Sequence, residues 1–239
     1  MKIGILKEQG EETRTSIVPS IVQRLIKELS FEVYFESGTG EKAGFSNDDY
    51  IKAGAVLMER DEMIQLLDII TFINPFDSPF QSDSKKMFVT MMNPLFRTDE
   101  VEKLKKPNLA VYSLDLVPRS TKAQSMDVLS SIASLSGYKA VIKAAELYGS
   151  VLPMFTTAAG TIRPARVLIL GAGVAGLQAI ATARRLGAIV HVFDVRSSAK
   201  EEVKSLGANF IEVEGAAESA SAGGYAIEQS EAYLEKQRE

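Results

Sequence analysis

Val167-Leu168-Ile169-Leu170-Gly171-Ala172-Gly173-Val174-Ala175-Gly176 decides the fold of the second half of this chain. A short apolar run of strand length ends in three glycines at G-x-G-x-x-G spacing, and Val174–Leu186 continues with helical periodicity. Each glycine has its own task. Gly171 permits a tight turn, Gly173 lets backbone amides approach a phosphate, and Gly176 lets the helix lie close to the strand. A helix N-terminus adds N–H groups and a dipole that favour an anion. Gly171, Ala172, Gly173, Val174, Ala175 and Gly176 are therefore expected to cradle the pyrophosphate of a dinucleotide.

Downstream, Ile189–Phe193 reads as the next strand, with Asp194, Val195 and Arg196 at its end. A carboxylate there accepts hydrogen bonds from adenosine ribose hydroxyls and repels a 2′-phosphate, so NAD(H) is expected over NADP(H). Arg196 acts in the opposite sense, because a nearby arginine accommodates that phosphate. Lys200–Leu206 as a helix and Phe210–Val213 as a strand complete βαβαβ, one mononucleotide-binding half. A doubly wound dinucleotide domain has two halves. The Rossmann domain, 151–239, therefore reads as C-terminally truncated, with an edge that a further segment would cover. Gly215–Gly224, rich in Ala, Ser and Gly, reads as a mobile segment ahead of a polar helix, Ala226–Arg238.

Upstream, short apolar runs alternate with helical patterns. Strands are expected at Ile3–Leu6, Glu32–Phe35, Ala55–Met58, Asp68–Ile73, Met87–Met91 and Leu109–Leu114. Helices are expected at Ile21–Leu29, Asp48–Ala53, Met63–Leu67 and Thr98–Lys105. Such alternation implies a parallel sheet covered on both faces. One long helical pattern then runs from Lys122 to Tyr148 without proline, and the loop Thr156–Pro164 follows. The fold class is α/β: two doubly wound parallel-sheet domains, 1–121 and 151–239, joined by a long helix, 122–150.

Composition narrows the function classes. The 239 residues carry a net charge of -4 and no block of basic residues, which argues against nucleic acid as a partner. No cysteine is present, so disulfides, thiolate nucleophiles and zinc–sulfur sites are excluded. The single histidine, His191, lies inside an apolar strand and reads as structural. No metal site is expected. No apolar run reaches the ~18 residues needed to span a bilayer.

A second polar cluster stands at Arg119-Ser120-Thr121-Lys122-Ala123-Gln124-Ser125-Met126-Asp127-Val128-Leu129-Ser130-Ser131. On a continuous helix Gln124, Asp127 and Ser131 share a face, as do Asp127 and Ser130. Spacing alone equally fits a helix start, with Ser120 or Thr121 as N-cap and a solvated polar face.

This cluster, with Val117-Pro118 before it and Gly137-Tyr138-Lys139-Ala140 after it, resembles the signature of the NAD(H)-binding domain of proton-translocating NAD(P) transhydrogenase. Thr157-Ala158-Ala159-Gly160, the glycine loop with Leu177, and Gly223-Gly224-Tyr225-Ala226 are similar to the same family. Met1–Glu8 with Arg14 also resembles its relatives, the alanine dehydrogenases. The resemblance implies that Arg119, Gln124, Asp127 and Ser130 hold the nicotinamide end of NAD(H), and that Tyr225 tips a loop closing over it. It implies hydride exchange with NADP(H) on a partner domain, coupled to proton translocation by a transmembrane partner. A homodimer, peripheral to a membrane on its cytoplasmic or matrix side, is implied as well. Two rival readings stand beside it. An alanine-dehydrogenase-like oxidation needs proton transfer. The relatives carry a lysine in the stretch matching Asp68–Ile73 and a histidine near Met91–Asn93, and here both are absent. A non-catalytic NAD(H)-binding module would not need Arg119, Gln124 and Asp127 at the nicotinamide end.

Overall fold

The computed structural model describes residues 1–75, 84–118, 120–213, 230, 231 and 235. The chain divides into two compact units, Met1–Asp127 and Val128–Glu239.

In the N-terminal unit, β1 (Lys2–Ile5), β2 (Glu32–Phe35), β3 (Val56–Leu57), β4 (Ile69–Thr71), β5 (Lys86–Thr90) and β6 (Leu109–Ser113) form one sheet. Its order is β3-β2-β1-β4-β5-β6, and every neighbouring pair is parallel. The connecting helices are α1 (Pro19–Leu29), α2 (Asn47–Lys52), α3 (Arg60–Leu66) and α4 (Thr98–Lys103). Helices over both faces require strands without a polar side, and Ile3, Ile5, Val33, Phe35, Ile69, Ile70 and Phe88 are all buried. Phe35 stacks on Tyr50 with ring centres 5.0 Å apart, and Phe72 meets Phe88 edge-on at 5.3 Å. Helix starts follow local chemistry. Pro19 occupies the first turn of α1, where its missing N–H is no loss, and Ser46 with Asp49 caps α2 reciprocally. The buried Lys86 donates through Nζ to the carbonyls of Gln65 (2.6 Å) and Leu67 (2.7 Å) at the end of α3. Burial pushes its pKa below the usual lysine value.

The strand order of this sheet reverses between β1 and β4, which opens a crevice at their carboxyl ends. A cavity of about 430 Å³ lies there, lined by Lys7, Glu8, Glu12, Arg60, Phe72 and Asn74 among others.

In the second unit, β9 (Arg166–Leu170), β10 (Ile189–Phe193) and β11 (Asn209–Ile211) form a parallel sheet ordered β11-β10-β9. Helices α6 (Val174–Arg185) and α7 (Ala199–Ser205) are its crossovers, and α5 (Val128–Leu147) packs against α6. Ile180, Ala183, Val190, Val192 and Val203 fill the core. Among the described residues β9 is an edge strand, and its Leu168 and Leu170 are exposed.

The α/β class and the parallel sheets agree with the sequence expectation. Two elements differ. Thr121–Met126 is a 3-10 turn, and α5 begins only at Val128, because Asp127 leaves the helical region (φ −76°, ψ 88°). Aspartate favours that place immediately ahead of a helix. Within the expected loop Thr156–Pro164, β7 (Phe155–Thr157) and β8 (Gly160–Ile162) pair antiparallel across Ala158-Ala159. Neither alanine takes a positive φ, so the Asn-Gly or Asp-Gly signal of a tight hairpin is missing. No helix among the described residues is long and apolar enough to cross a membrane.

Candidate nucleotide-binding site

The glycine loop is built as its spacing requires. β9 ends at Leu170, and Gly171 turns the chain with φ +95°, a left-handed conformation that a side chain would strain. The Gly171 N–H donates to the Phe193 carbonyl at 2.7 Å, which ties the turn to the end of β10. Gly173 is the N-cap of α6; among the described residues no side chain caps it, and its carbonyl accepts the Leu177 N–H at 2.8 Å. A Cβ built on Gly173 would meet nothing among the described residues within 4 Å, so these leave open space over the backbone there. Gly176 is the reverse case: a Cβ would stand 1.9 Å from the Gly171 carbonyl oxygen. Helix and turn therefore touch backbone to backbone. An uncapped helix start beside an open cradle is a place where an anion can be held by N–H groups.

Asp194 follows β10 and reaches back to this loop. Its Oδ2 accepts the Ala172 N–H at 2.7 Å. Arg196 grips the same carboxylate three times: its N–H to Oδ1 at 2.8 Å, Nε to Oδ1 at 2.9 Å and Nη2 to Oδ2 at 2.9 Å. Two carboxylate oxygens offer about four acceptor positions, and these contacts fill them. The Asp194 side chain is only 6% exposed. Burial pushes its pKa up, but the Arg196 side chain and the Ala172 and Arg196 amides outweigh that and hold the carboxyl below its ordinary value. Val195 is half-buried between them. The sequence placed Asp194 beside the loop; the four-fold grip on it was not visible there, since it depends on which way two side chains turn.

The remaining expected residues fall in both units. Gln124 is exposed on the 3-10 turn and Asp127 is half-buried just after it, both in the N-terminal unit. Ser130 is half-buried in the first turn of α5, in the second unit. The shared helical face expected for Gln124, Asp127 and Ser131 is not formed, because the helix is interrupted at Asp127. Arg119 and Tyr225 lie outside the described residues, as does most of the stretch after Val213. His191 is half-buried within β10, opposite Leu168 and Asn209.

Sequence reasoning missed the crevice of the N-terminal unit, because only the strand order reveals it. Its loop after β1 is acidic rather than glycine-rich. The buried Glu8 accepts the Ile73 N–H (2.6 Å) and the Asn74 N–H (3.0 Å) after β4. Glu12 accepts Arg14 Nε at 2.8 Å and Nη2 at 2.7 Å, and this arginine is the main cause holding its pKa at about 2. Phe72 and Met92, at the two stretches where a lysine and a histidine were sought, are buried apolar side chains. Among the described residues no cluster of His, Asp and Glu is arranged to hold a metal ion.

Comparison with known proteins divides the chain within α5. Residues 4–136 match the family described as alanine dehydrogenase/PNT, N-terminal domain, and residues 140–238 match alanine dehydrogenase/PNT, C-terminal domain. The chain is 42% identical over 250 residues to an NAD(P) transhydrogenase alpha subunit of Rhodospirillum rubrum, covering 100% of itself and 65% of that protein. It thus spans just under two thirds of that relative's length. An alanine dehydrogenase of Staphylococcus epidermidis is 25% identical over 211 residues, covering 86% of this chain and 56% of that one. Among solved structures, the transhydrogenase from Sinorhizobium meliloti superposes with a TM-score of 0.83 at 42% identity, covering 89% of this chain and 64% of that one.

Proposed function

The chain belongs to the alanine dehydrogenase/PNT family, and from that premise we propose that it binds NAD(H) at the glycine loop and exchanges hydride with NADP(H) on a partner domain. One observation carries the proposal. The Ala172 amide is fixed to Asp194 while the backbone at Gly173, one residue on, faces no other described residue at a helix start that no described side chain caps. That arrangement supports reading the loop as a cradle for a pyrophosphate, with an acid beside it for the ribose.

The coenzyme supplies the hydride; the protein's residues bind and orient. Gly171–Gly176 hold the pyrophosphate, and Asp194 receives the ribose hydroxyls. Because its acceptor positions are filled, Arg196 has to loosen part of its grip as the ribose arrives. Arg119, Gln124, Asp127 and Ser130 orient the nicotinamide end, and Tyr225 closes over it. Hydride exchange between two nicotinamide rings moves no substrate proton, so positioning and exclusion of water are the whole task. The partners are an NADP(H)-binding domain and a transmembrane domain that couples the exchange to proton translocation. The chain acts as a homodimer at the cytoplasmic or matrix face. The buried Phe72 and Met92 weigh against amino-acid oxidation, which needs a proton-transfer group near the substrate.

Parallel fluorescence titrations of this chain with NADH and NADPH test the proposal. Saturable NADH binding with much weaker NADPH binding supports it. Equal affinities, or a preference for NADPH, overturn the cofactor assignment.

A further inference from the structure

Helix α5 carries a glycine whose packing bears on the nucleotide loop. We propose that Gly137 is a positioning residue for NAD(H): its missing side chain lets α5 lie directly on the first turn of α6 and so fixes the Ala175–Gly176 peptide. The proposal deepens the assignment of the glycine loop as the NAD(H) site and rests on it.

A Cβ at Gly137 would stand 2.0 Å from the Ala175 carbonyl oxygen, 2.8 Å from its carbon and 3.1 Å from Ala175 Cα. These are backbone atoms, which cannot turn aside as the end of a flexible side chain can. Gly137 is buried, whereas its neighbours Ser136 and Tyr138 are exposed. Its φ is not positive, so the backbone conformation itself does not call for glycine. Helix propensity would favour alanine here. The contact with Ala175 is what accounts for the residue.

On the next residue the same peptide meets a second glycine contact, that of Gly176 with the Gly171 carbonyl, where a Cβ would come within 1.9 Å. The Ala175–Gly176 peptide is therefore gripped by α5 and by the turn after β9. A side chain at position 137 has to be absorbed by the Gly171–Gly173 turn or by a retreat of α5. N–H groups hold a phosphate well only over a few tenths of an ångström and a limited range of angles, so a shift of the first turn of α6 is felt at the ligand.

The test is Gly137→Ala in the full 239-residue chain, with Ser136→Ala on the exposed side of α5 as the control for helix propensity. Three quantities are read: NADH affinity by fluorescence, urea unfolding, and the backbone amide signals of residues 171–177 by NMR. The expected result for Gly137→Ala is NADH binding about ten- to a hundredfold weaker, as for one charged hydrogen bond lost. Its loop amide signals move while unfolding stays cooperative, and Ser136→Ala changes neither affinity nor signals. A folded Gly137→Ala chain with native affinity and unmoved loop signals overturns the proposal. If the unsubstituted chain binds no NADH, the nucleotide assignment fails, and the amide signals alone decide: moved supports the positioning contact, unmoved overturns it. Should Gly137→Ala not fold in plain buffer, the same readings taken in trimethylamine N-oxide, which favours the folded state without touching the contact, decide in the same two ways.

Discussion

Asp194→Asn keeps the shape of its side chain and removes the charge. The native carboxylate accepts hydrogen bonds from the Ala172 amide, the Arg196 amide, Arg196 Nε and Arg196 Nη2, all between 2.7 and 2.9 Å. An amide has one acceptor oxygen, so two of the four bonds are lost, and its NH₂ then faces two donors. A charge-assisted hydrogen bond contributes roughly 1.5–3 kcal/mol, and breaking a buried pair costs about 3–5 kcal/mol. Arg196, 23% exposed along its side chain, can recover water, which lowers the cost. Ala172, buried to 2% exposure, cannot. The second unit should therefore lose about 2–3 kcal/mol, below the full cost of a broken buried pair. NADH affinity should fall about ten- to a hundredfold, and the preference over NADPH should narrow, because the repulsion of a 2′-phosphate goes with the charge. The sign with pH follows. The folded pKa of Asp194 lies below the unfolded value near 3.9, so its contribution is present above about pH 4 and is lost as pH falls through the folded value. The Asn variant should lack that acid-side slope. Urea unfolding at several pH values and paired NADH and NADPH titrations read all of this. An Asn variant with the native midpoint and the native NADH/NADPH ratio would refute both the ion-pair and the ribose arguments.

Gly176→Ala should destabilise by about 1–3 kcal/mol through overpacking and abolish NADH binding, because its Cβ falls on the Gly171 carbonyl; urea unfolding and titration check it. Lys86→Met strands the Gln65 and Leu67 carbonyls and should cost about 1–3 kcal/mol by chemical denaturation, with no change in NADH affinity. Lys86 has a depressed folded pKa, so stability should rise as pH climbs from that value to the unfolded value near 10.4, and the variant should lose this rise. Glu12 is held at about 2 in the folded protein, so what it contributes is present above its unfolded value near 4.3 and disappears as pH drops toward 2. Glu12→Gln should flatten acid unfolding across that window, as circular dichroism would show.

Regular elements were legible in the sequence wherever an apolar run was bounded by turn residues. β2 at Glu32–Phe35 and β10 at Ile189–Phe193 sit where the pattern put them, residue for residue. The G-x-G-x-x-G turn was legible because each glycine answers a backbone demand that no other residue meets. What escaped has physical reasons. The break at Asp127 is invisible to periodicity, since both sides of it are helix-like. The β7–β8 hairpin turns on two alanines, which carry no turn signal. The Arg196 grip on Asp194 and the contact of Gly137 with Ala175 arise from side-chain direction and helix approach, neither of which leaves a spacing in the chain. The order of strands in the N-terminal sheet was likewise beyond the local pattern, and the crevice came with it.

That crevice bears on how small molecules sort themselves over this protein. The amides of Ile73 and Asn74 already hold a carboxylate that belongs to the chain, that of Glu8, so the N-terminal sheet carries a tethered counter-ion where a free one could have docked. In the glycine loop Asp194 holds the Ala172 amide, and among the described residues no side chain caps the start of α6 at Gly173. The loop after β1 and the loop after β9 thus present different faces to a fragment library. With the glycine loop taking a pyrophosphate as proposed, phosphates should go to the second unit, while the first should reward compounds that leave an acid in place or bring a positive charge to it.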